Sequence, residues 1–440
     1  MTIKAKKRVL IISRDTIDDK MAGLGIRYWE MASLLARHGH PITLAIPNKA
    51  SIQADFPVVQ TGWRNIAPLI SRHDIIICFL HKPYTMPSLL WGGKWVILDF
   101  YNLFVFEVLH NLSQVVNYKK ASSIHRKELA MNLAVADMIA CSNERQRDFL
   151  IGLLFGGDKV TPELYGQDPS LRSLVAVVPH GIPAEVPKKG ANRLRGILPG
   201  VSEKDFLLLW AGGLWNWSDP LSLIRAMALI KESHPTIKLV FLGTTHPNPI
   251  IGEPDMARRA FQLSEELGLA GRTIFFLEGW SPYSERHDYF LEADLSVSVF
   301  PNSCETTYAT RTRFFDCLWT GLPVLTTEGD WAAQEVSRKE LGLVVSCCDP
   351  SAIARAVVRS AEDEGLRKEW RQNISCLRED YRWEKVLEPI VRFCEDPRHV
   401  RKPAWPKLLP SIGRLYLEKL FSREYLKAAR IKLMGTQAPG

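Results

Sequence analysis

Arg8-Val9-Leu10-Ile11-Ile12-Ser13, then Gly23-Leu24-Gly25, a helical stretch from about Ile26 to His38 closed by Gly39, and Pro41 to Ile46 together decide the fold. A short continuous apolar run reads as a strand buried on both faces, the habit of parallel sheets. Strand, glycine turn, helix and strand make a βαβ unit with a right-handed crossover. Gly23 and Gly25 would let backbone approach a ligand at the helix N-terminus, or would simply form a tight turn. The third glycine of a dinucleotide fingerprint is missing, since Tyr28 stands there. Arg27, in the first helical turn, opposes the helix dipole. Such a cation either faces an anion or is solvated.

Outward from this unit the alternation continues. Strands are expected at Asp74 to Phe79, Trp95 to Leu98, Met138 to Cys141 and Val175 to Val178. In open parallel sheets the ligand crevice lies at the carboxyl ends of the strands. Asp99 follows one such end and either caps a helix or takes part in chemistry. Val178 runs into Pro179-His180-Gly181-Ile182-Pro183, and residues 184–204 are rich in Pro, Gly and Lys, which suits an interdomain linker. The pattern then restarts. Asp205 to Ala211 is a strand ending in Gly212-Gly213, a helix follows from Pro220, and strands recur at Lys238 to Leu242, Thr273 to Phe276 and Asp294 to Phe300. The end is helical, over about Ser351 to Glu362, Leu366 to Tyr381 and Trp383 to Cys394.

The chain has 440 residues, too many for one ordinary core. The expected architecture is α/β: two doubly wound Rossmann-like domains facing across a cleft, with a C-terminal helical extension. The expected boundaries are an N-terminal domain over 1–190, a linker over 191–204, a second domain over 205–380, a helix over 381–398 crossing back to the first domain, and a basic amphipathic tail over 399–440.

With 46% hydrophobic and 24% charged residues, the composition is that of a globular protein. No run approaches the roughly 18 apolar residues of a membrane span. Eight cysteines without paired metal-type spacing predict reduced thiols in a cytosolic protein. The net charge of +8 is concentrated at the end, where residues 401–440 hold nine basic and two acidic residues. A basic tail on a near-neutral body argues weakly for nucleic acid, and no stacking motif accompanies it. Interleaved Leu408, Leu409, Ile412, Leu415, Leu420 and Phe421 suit a helix lying on an anionic membrane surface, or one packed on the body with a solvated basic face.

The stretch richest in chemistry is Cys304-Glu305-Thr306-Thr307-Tyr308-Ala309-Thr310-Arg311-Thr312-Arg313-Phe314-Phe315-Asp316, continuing to Gly321-Leu322-Pro323-Val324. A strand leads in, a loop holds Glu305, Arg311 and Arg313, a helix carries Asp316, and the next strand begins after Gly321.

This arrangement resembles the donor-binding region of retaining glycosyltransferases of the two-Rossmann (GT-B) type, family 4 in particular. The resemblance covers about residues 8 to 395 and draws also on Gly23-x-Gly25, Ala136-Asp137, Val178-Pro179-His180-Gly181, Gly212-Gly213 and Leu242-Gly243. A narrower subgroup, associated with bacterial surface polysaccharides and lipid-linked glycans, is similar in Trp215-x-Trp217-x-Asp219-Pro220, His246-Pro247-Asn248-Pro249, Arg311-Thr312-Arg313 and Gly329-Asp330. Two departures stand out. The family spaces two glutamates by seven residues; here the second falls on Asp316, and Glu305 lies three positions too early. The family's Arg and Lys after the first strand of the second domain are absent from Gly213-Leu214-Trp215-Asn216-Trp217-Ser218-Asp219.

The resemblance implies transfer of a hexosyl unit from a nucleotide diphosphate sugar to a hydroxyl of a glycan or lipid-linked acceptor, with retention, no bound cofactor and no metal. It places Glu305 on the sugar or ribose hydroxyls of the donor, Asp316 on the ribose or bracing the loop, and Gly212, Gly213, Gly23, Gly25 and Arg27 against donor or phosphate. Arg311 and Arg313 would replace the missing clamp through bidentate guanidinium–phosphate bonds. Asp99 and His180 would act on the acceptor side. The rivals are a nucleotide-sugar epimerase of the same fold and a non-catalytic subunit of a polysaccharide assembly complex. The expected location is cytoplasmic, with the basic tail on the inner face of the membrane.

Overall fold

The computed structural model describes residues 5–62, 64–112, 118–244, 254–400, 402, 413–415 and 417. The chain divides into two compact units. Unit 1 comprises Met1–Gly181 and Trp383–Arg430, and unit 2 is built on Ile182–Arg382.

Unit 1 is a parallel sheet of seven strands: β1 Val9–Ile12, β2 Ile42–Ile46, β3 Val58–Gln60, β4 Ile75–Cys78, β5 Trp95–Phe100, β6 Met138–Cys141 and β7 Val175–Val177, in spatial order β3-β2-β1-β4-β5-β6-β7. Strand order reverses between β1 and β4, which pair from Val9↔Ile75 to Ile12↔Cys78. Unit 2 repeats the plan with β8 Phe206–Ala211, β9 Ile237–Leu242, β10 Ile274–Phe276, β11 Leu295–Ser298, β12 Val324–Thr327 and β13 Gly342–Val345, in order β10-β9-β8-β11-β12-β13. Its reversal lies between β8 and β11, aligned at Leu295↔Leu208. Both units are therefore doubly wound sheets of Rossmann type.

The alternation along β8 shows why the run is apolar throughout. Leu208 and Trp210 enter the core on one face of the sheet, while Leu207, Leu209 and Ala211 enter the other. A strand covered by helices on both faces has no polar side. The edge strands β3 and β13 escaped the sequence reading because every residue in them is half-buried or exposed. Their run of burial is too short and too weak to give a period.

The stretch expected to be a linker is folded into unit 2. Leu194 and Val201 are in its core. The buried Glu292 carboxylate accepts from the backbone N–H groups of Arg193, Leu194 and Arg195, and Arg195 pairs with Asp294 at 2.6 Å. Composition could not reveal this, because the partners lie about a hundred residues away. The helix expected over Trp383 to Cys394 is two, Trp383–Val386 and Glu388–Glu395, broken at Leu387 ahead of Pro389; proline is tolerated only in the first turn of the second. The residues after 382 sit with unit 1 through Arg37–Glu384 and Lys6–Glu395 ion pairs. Most of the basic tail, and His246-Pro247-Asn248-Pro249, lie outside the described residues.

All eight cysteines are free thiols. Burial pushes the Cys78, Cys141, Cys317 and Cys394 thiols up to about 12, so these four pack as small apolar side chains.

Candidate active site

In unit 1 the chain leaves β1 through a packed loop and enters the helix Gly23–Arg37, in which Gly23 is the first residue. A Cβ on Gly25 would stand 2.7 Å from the Thr16 carbonyl oxygen. The requirement for glycine there comes from the β1–helix loop lying on the helix. Arg27 and Asp99 are both fully buried. Arg27 Nε donates to Asp99 Oδ2 and Nη2 to Asp99 Oδ1, each at 2.8 Å. Nη1 also donates to the Pro179 carbonyl at 2.7 Å, and Nη2 to that of Val178 at 3.0 Å. The guanidinium carbon lies 5.0 Å from the Tyr101 ring centroid. Burial opposes the charge, but the Asp99 carboxylate outweighs it and holds Arg27 above its ordinary range.

Arg27 was expected to face a ligand anion or solvent, and Asp99 to cap a helix or act on an acceptor; in the structure each satisfies the other, and the pair ties the helix, β5 and the segment after β7 together. His180 is also enclosed, 5% exposed, with its ring 4.8 Å from that of Trp383 at 67° and 5.8 Å from that of Tyr101. Expected on the acceptor, it stands inside an aromatic cluster. The acid that does reach the carboxyl end of β1 is Asp15, which the sequence reading passed over. Burial raises its carboxyl to about 6 against a hydrogen bond from the Thr16 N–H.

In unit 2 the residues singled out from the sequence converge at the carboxyl ends of β8 and β11, the two strands flanking the reversal. Gly212 and Gly213 follow β8. A Cβ on Gly212 would meet Arg313 Cγ at 3.5 Å, and one on Gly213 would meet the Trp215 ring at 3.0 Å. Trp215 stacks on Trp217, centroids 5.2 Å apart and 6° from parallel. After β11, the expected open loop holds a helical turn, Cys304–Tyr308, capped by Ser303, whose side chain accepts from the Thr306 N–H. Glu305 lies in this turn, 7% exposed. Arg311 Nη1 and Nη2 donate to its two oxygens at 2.9 and 3.0 Å. Arg311 Nε reaches Asp330 Oδ2 at 3.3 Å, and its guanidinium carbon lies 3.6 Å from the Phe300 ring centroid. Asp330 caps the helix Trp331–Lys339 by accepting from the Ala333 N–H.

Two groups of charge result. Glu305, Arg311 and Asp330 carry a net −1. Burial opposes the charge on Arg311, yet the two carboxylates hold it above its ordinary range, while burial pushes Asp330 up against the pull of Arg311. Arg311, expected on phosphate, is thus committed to fixing Glu305. The second group joins Arg313, Asp316 and Arg286. Arg313 Nη1 donates to Asp316 Oδ2 at 2.8 Å, and Arg286 Nε to Asp316 Oδ1 at 3.1 Å. Asp316 has both oxygens held by arginines, so of its two expected roles the geometry favours bracing. The Arg313 guanidinium carbon stands 5.5 Å from the Trp280 ring centroid. Arg286 was missed because it comes from another element, thirty residues upstream, and no local spacing announces it. Among the described residues no group of three or more His, Cys, Asp or Glu side chains is arranged to hold a metal, and no helix is long and apolar enough to cross a membrane.

Residues 199–375 match the family model "Glycosyl transferases group 1". The D-inositol 3-phosphate glycosyltransferase of Acidothermus cellulolyticus is 23% identical over 303 residues, covering 69% of this chain and 64% of that protein, a little under two thirds of its length. Among solved structures, Anabaena HepE in complex with UDP and glucose superposes with a TM-score of 0.65 at 14% identity, covering 88% of this chain and 99% of the other. WaaG, a glycosyltransferase involved in lipopolysaccharide biosynthesis, gives 0.63 at 17% identity over 88% and 100%. The chain therefore has the GT-B fold of these glycosyltransferases, and its residues 199–375, which contain the Glu305–Arg311 and Arg313–Asp316 groups, match a glycosyltransferase family.

Proposed function

We propose that this protein moves a hexosyl unit from a nucleotide diphosphate sugar to a hydroxyl of a glycan or lipid-linked acceptor, with retention and without a metal, in the building of a bacterial surface polysaccharide. The observation that carries the reading is the setting of Glu305: a carboxylate held by a bidentate arginine at the carboxyl end of β11, across the reversal from Gly212-Gly213. A fixed carboxylate there accepts hydrogen bonds from sugar hydroxyls without reorganising, which is how a preformed polar site lowers a barrier. Gly212 lets Arg313 pack directly on the backbone after β8, 3.5 Å from where a Cβ would stand. Arg313 supplies positive charge where the leaving diphosphate gains negative charge.

In this reading the bond between the anomeric carbon and the diphosphate oxygen breaks, the acceptor oxygen bonds to the same face of that carbon, and the acceptor proton leaves with the diphosphate. The UDP and glucose bound to HepE and the name of the Acidothermus relative make UDP-sugars, and phosphorylated inositol as acceptor, the first pair to assay. The basic residues of 401–440 are proposed to bring the enzyme to the anionic cytoplasmic face of the membrane. The test is thermal shift and donor hydrolysis with UDP-, GDP- and dTDP-sugars. Stabilisation and slow turnover with one donor are expected. Neither effect with any donor overturns the reading.

A further inference from the structure

Arg286 holds one oxygen of Asp316 while Arg313 holds the other. We propose that Arg286 is a positioning residue for the donor diphosphate: by compensating Asp316 from behind, it leaves the Arg313 guanidinium with positive charge to present to the phosphates. The proposal rests on the reading that unit 2 binds a nucleotide diphosphate sugar.

The trio of Arg286, Asp316 and Arg313 carries a net +1. Without Arg286, Asp316 would neutralise Arg313 and the net charge would be zero. The neighbouring group around Arg311 is already net negative, and residues 213–219, after β8, contain no cation. The charge available to a diphosphate thus depends on how Asp316 is shared. Exposure divides the roles: the Arg286 side chain is 8% exposed and that of Arg313 is 20% exposed. The buried arginine acts through Asp316, and the more open one meets the ligand.

Arg286 is held firmly for this task. Its Nη1 donates to the Tyr283 carbonyl at 2.8 Å. Its guanidinium carbon lies 4.1 Å from the Tyr283 ring centroid and 4.5 Å from that of Trp319. Trp319 Nε1 in turn donates to the Glu185 carbonyl at 2.8 Å. His287 Nε2 lies 3.0 Å from the Lys188 carbonyl oxygen, and the Gly190 N–H donates to Asp288 at 2.7 Å. The segment from Glu185 to Arg195 is therefore fastened to the helix Arg286–Glu292 and to the tryptophan beneath Arg286. A guanidinium between two rings keeps its orientation where an ammonium would not.

Neutralising each member of the pair, singly and together, separates this role from a structural one. Titration calorimetry of the full chain with UDP, GDP, dTDP and inorganic pyrophosphate measures the affinity. Arg286→Gln is expected to weaken the bound nucleotide and pyrophosphate about tenfold, a typical loss for a charge-assisted contact. Adding Asp316→Asn to Arg286→Gln restores the +1 and is expected to return affinity to within about threefold of the parent. Asp316→Asn alone is expected to bind at least as tightly as the parent. Should Arg286→Gln fail to fold, as judged by its melting curve, Asp316→Asn alone decides, and weaker pyrophosphate binding in it overturns the proposal. Unchanged affinity in Arg286→Gln, or no recovery in the double variant, also overturns it while leaving the donor reading intact. If none of the nucleotides or pyrophosphate binds the unaltered protein, the donor reading and this inference fall together.

Discussion

Replacing Asp99 by Ala tests whether that acid is structural or chemical. Arg27 and Asp99 are both 0% exposed, and the guanidinium makes two bonds of 2.8 Å to the carboxylate and two more to the carbonyls of Val178 and Pro179. Asp99→Ala leaves a buried cation facing only those two carbonyls and the Tyr101 ring, with no opposite charge. Breaking one side of a buried pair costs about 3–5 kcal/mol, because the remaining charge is neither solvated nor compensated. That is a large share of the roughly 5–15 kcal/mol that holds a domain together. Asp99→Asn keeps the shape and accepts one bond, so it should lose less. The double replacement Arg27→Met, Asp99→Leu removes both charges, so its cost is set instead by the two carbonyls left without donors, about 1–3 kcal/mol each. Hydrogen exchange read by mass spectrometry over the Gly23–Arg37 helix and residues 175–181 measures the local opening free energy in each variant. The reasoning is refuted if Asp99→Ala leaves protection in both segments unchanged. It is replaced by a chemical role if protection is unchanged and turnover is lost.

Gly181→Ala would put a methyl 2.4 Å from Cδ2 and Cε3 of Trp383. A loss of about 1–3 kcal/mol in urea unfolding is expected, partly recovered when Trp383→Phe is added, as for overpacking generally. Glu305→Gln should lower turnover by at least about a hundredfold while leaving the affinity for the bare nucleoside diphosphate within about twofold, since the carboxylate is placed on the sugar; calorimetry beside steady-state kinetics checks the split. Burial lowers the His81 imidazole to about 3, so the folded protein keeps it neutral where the unfolded chain protonates it. The stability it contributes is present above about pH 6.5 and is lost as pH falls toward 3. Between pH 7 and 4.5 the parent should lose about 2–3 kcal/mol more than His81→Gln does, measured as the difference between their urea midpoints at the two pH values.

Much of the fold was legible because buried parallel strands announce themselves. Val9–Ile12, Ile75–Cys78 and Phe206–Ala211 are apolar at nearly every position, since helices cover both faces of each sheet. Two of the four edge strands were not, because Val58–Gln60 and Gly342–Val345 are only partly covered. The charged residues after β11 were found as a group because Glu305, Arg311, Arg313 and Asp316 lie within twelve positions of one another. Their pairing was not, because Glu305 and Asp316 each engage an arginine and nothing in their spacing says which.

By itself the sequence determined the alternation of strand and helix, the restart near Asp205, and the presence of acids and arginines after β11. These are local properties, set by periodicity and by neighbours in the chain. Only the tertiary structure decided what each charge does. Asp99 lies 72 residues from Arg27, and burial joins a candidate catalytic acid and a candidate ligand-binding arginine in one ion pair. Residues 190–195 read as a linker until Asp288 and Glu292, nearly a hundred residues away, collect their N–H groups. Arg286 acquires its role from Asp316, thirty positions on. A charge in a protein is defined by what surrounds it in space, and at these sites that surrounding comes from distant parts of the chain.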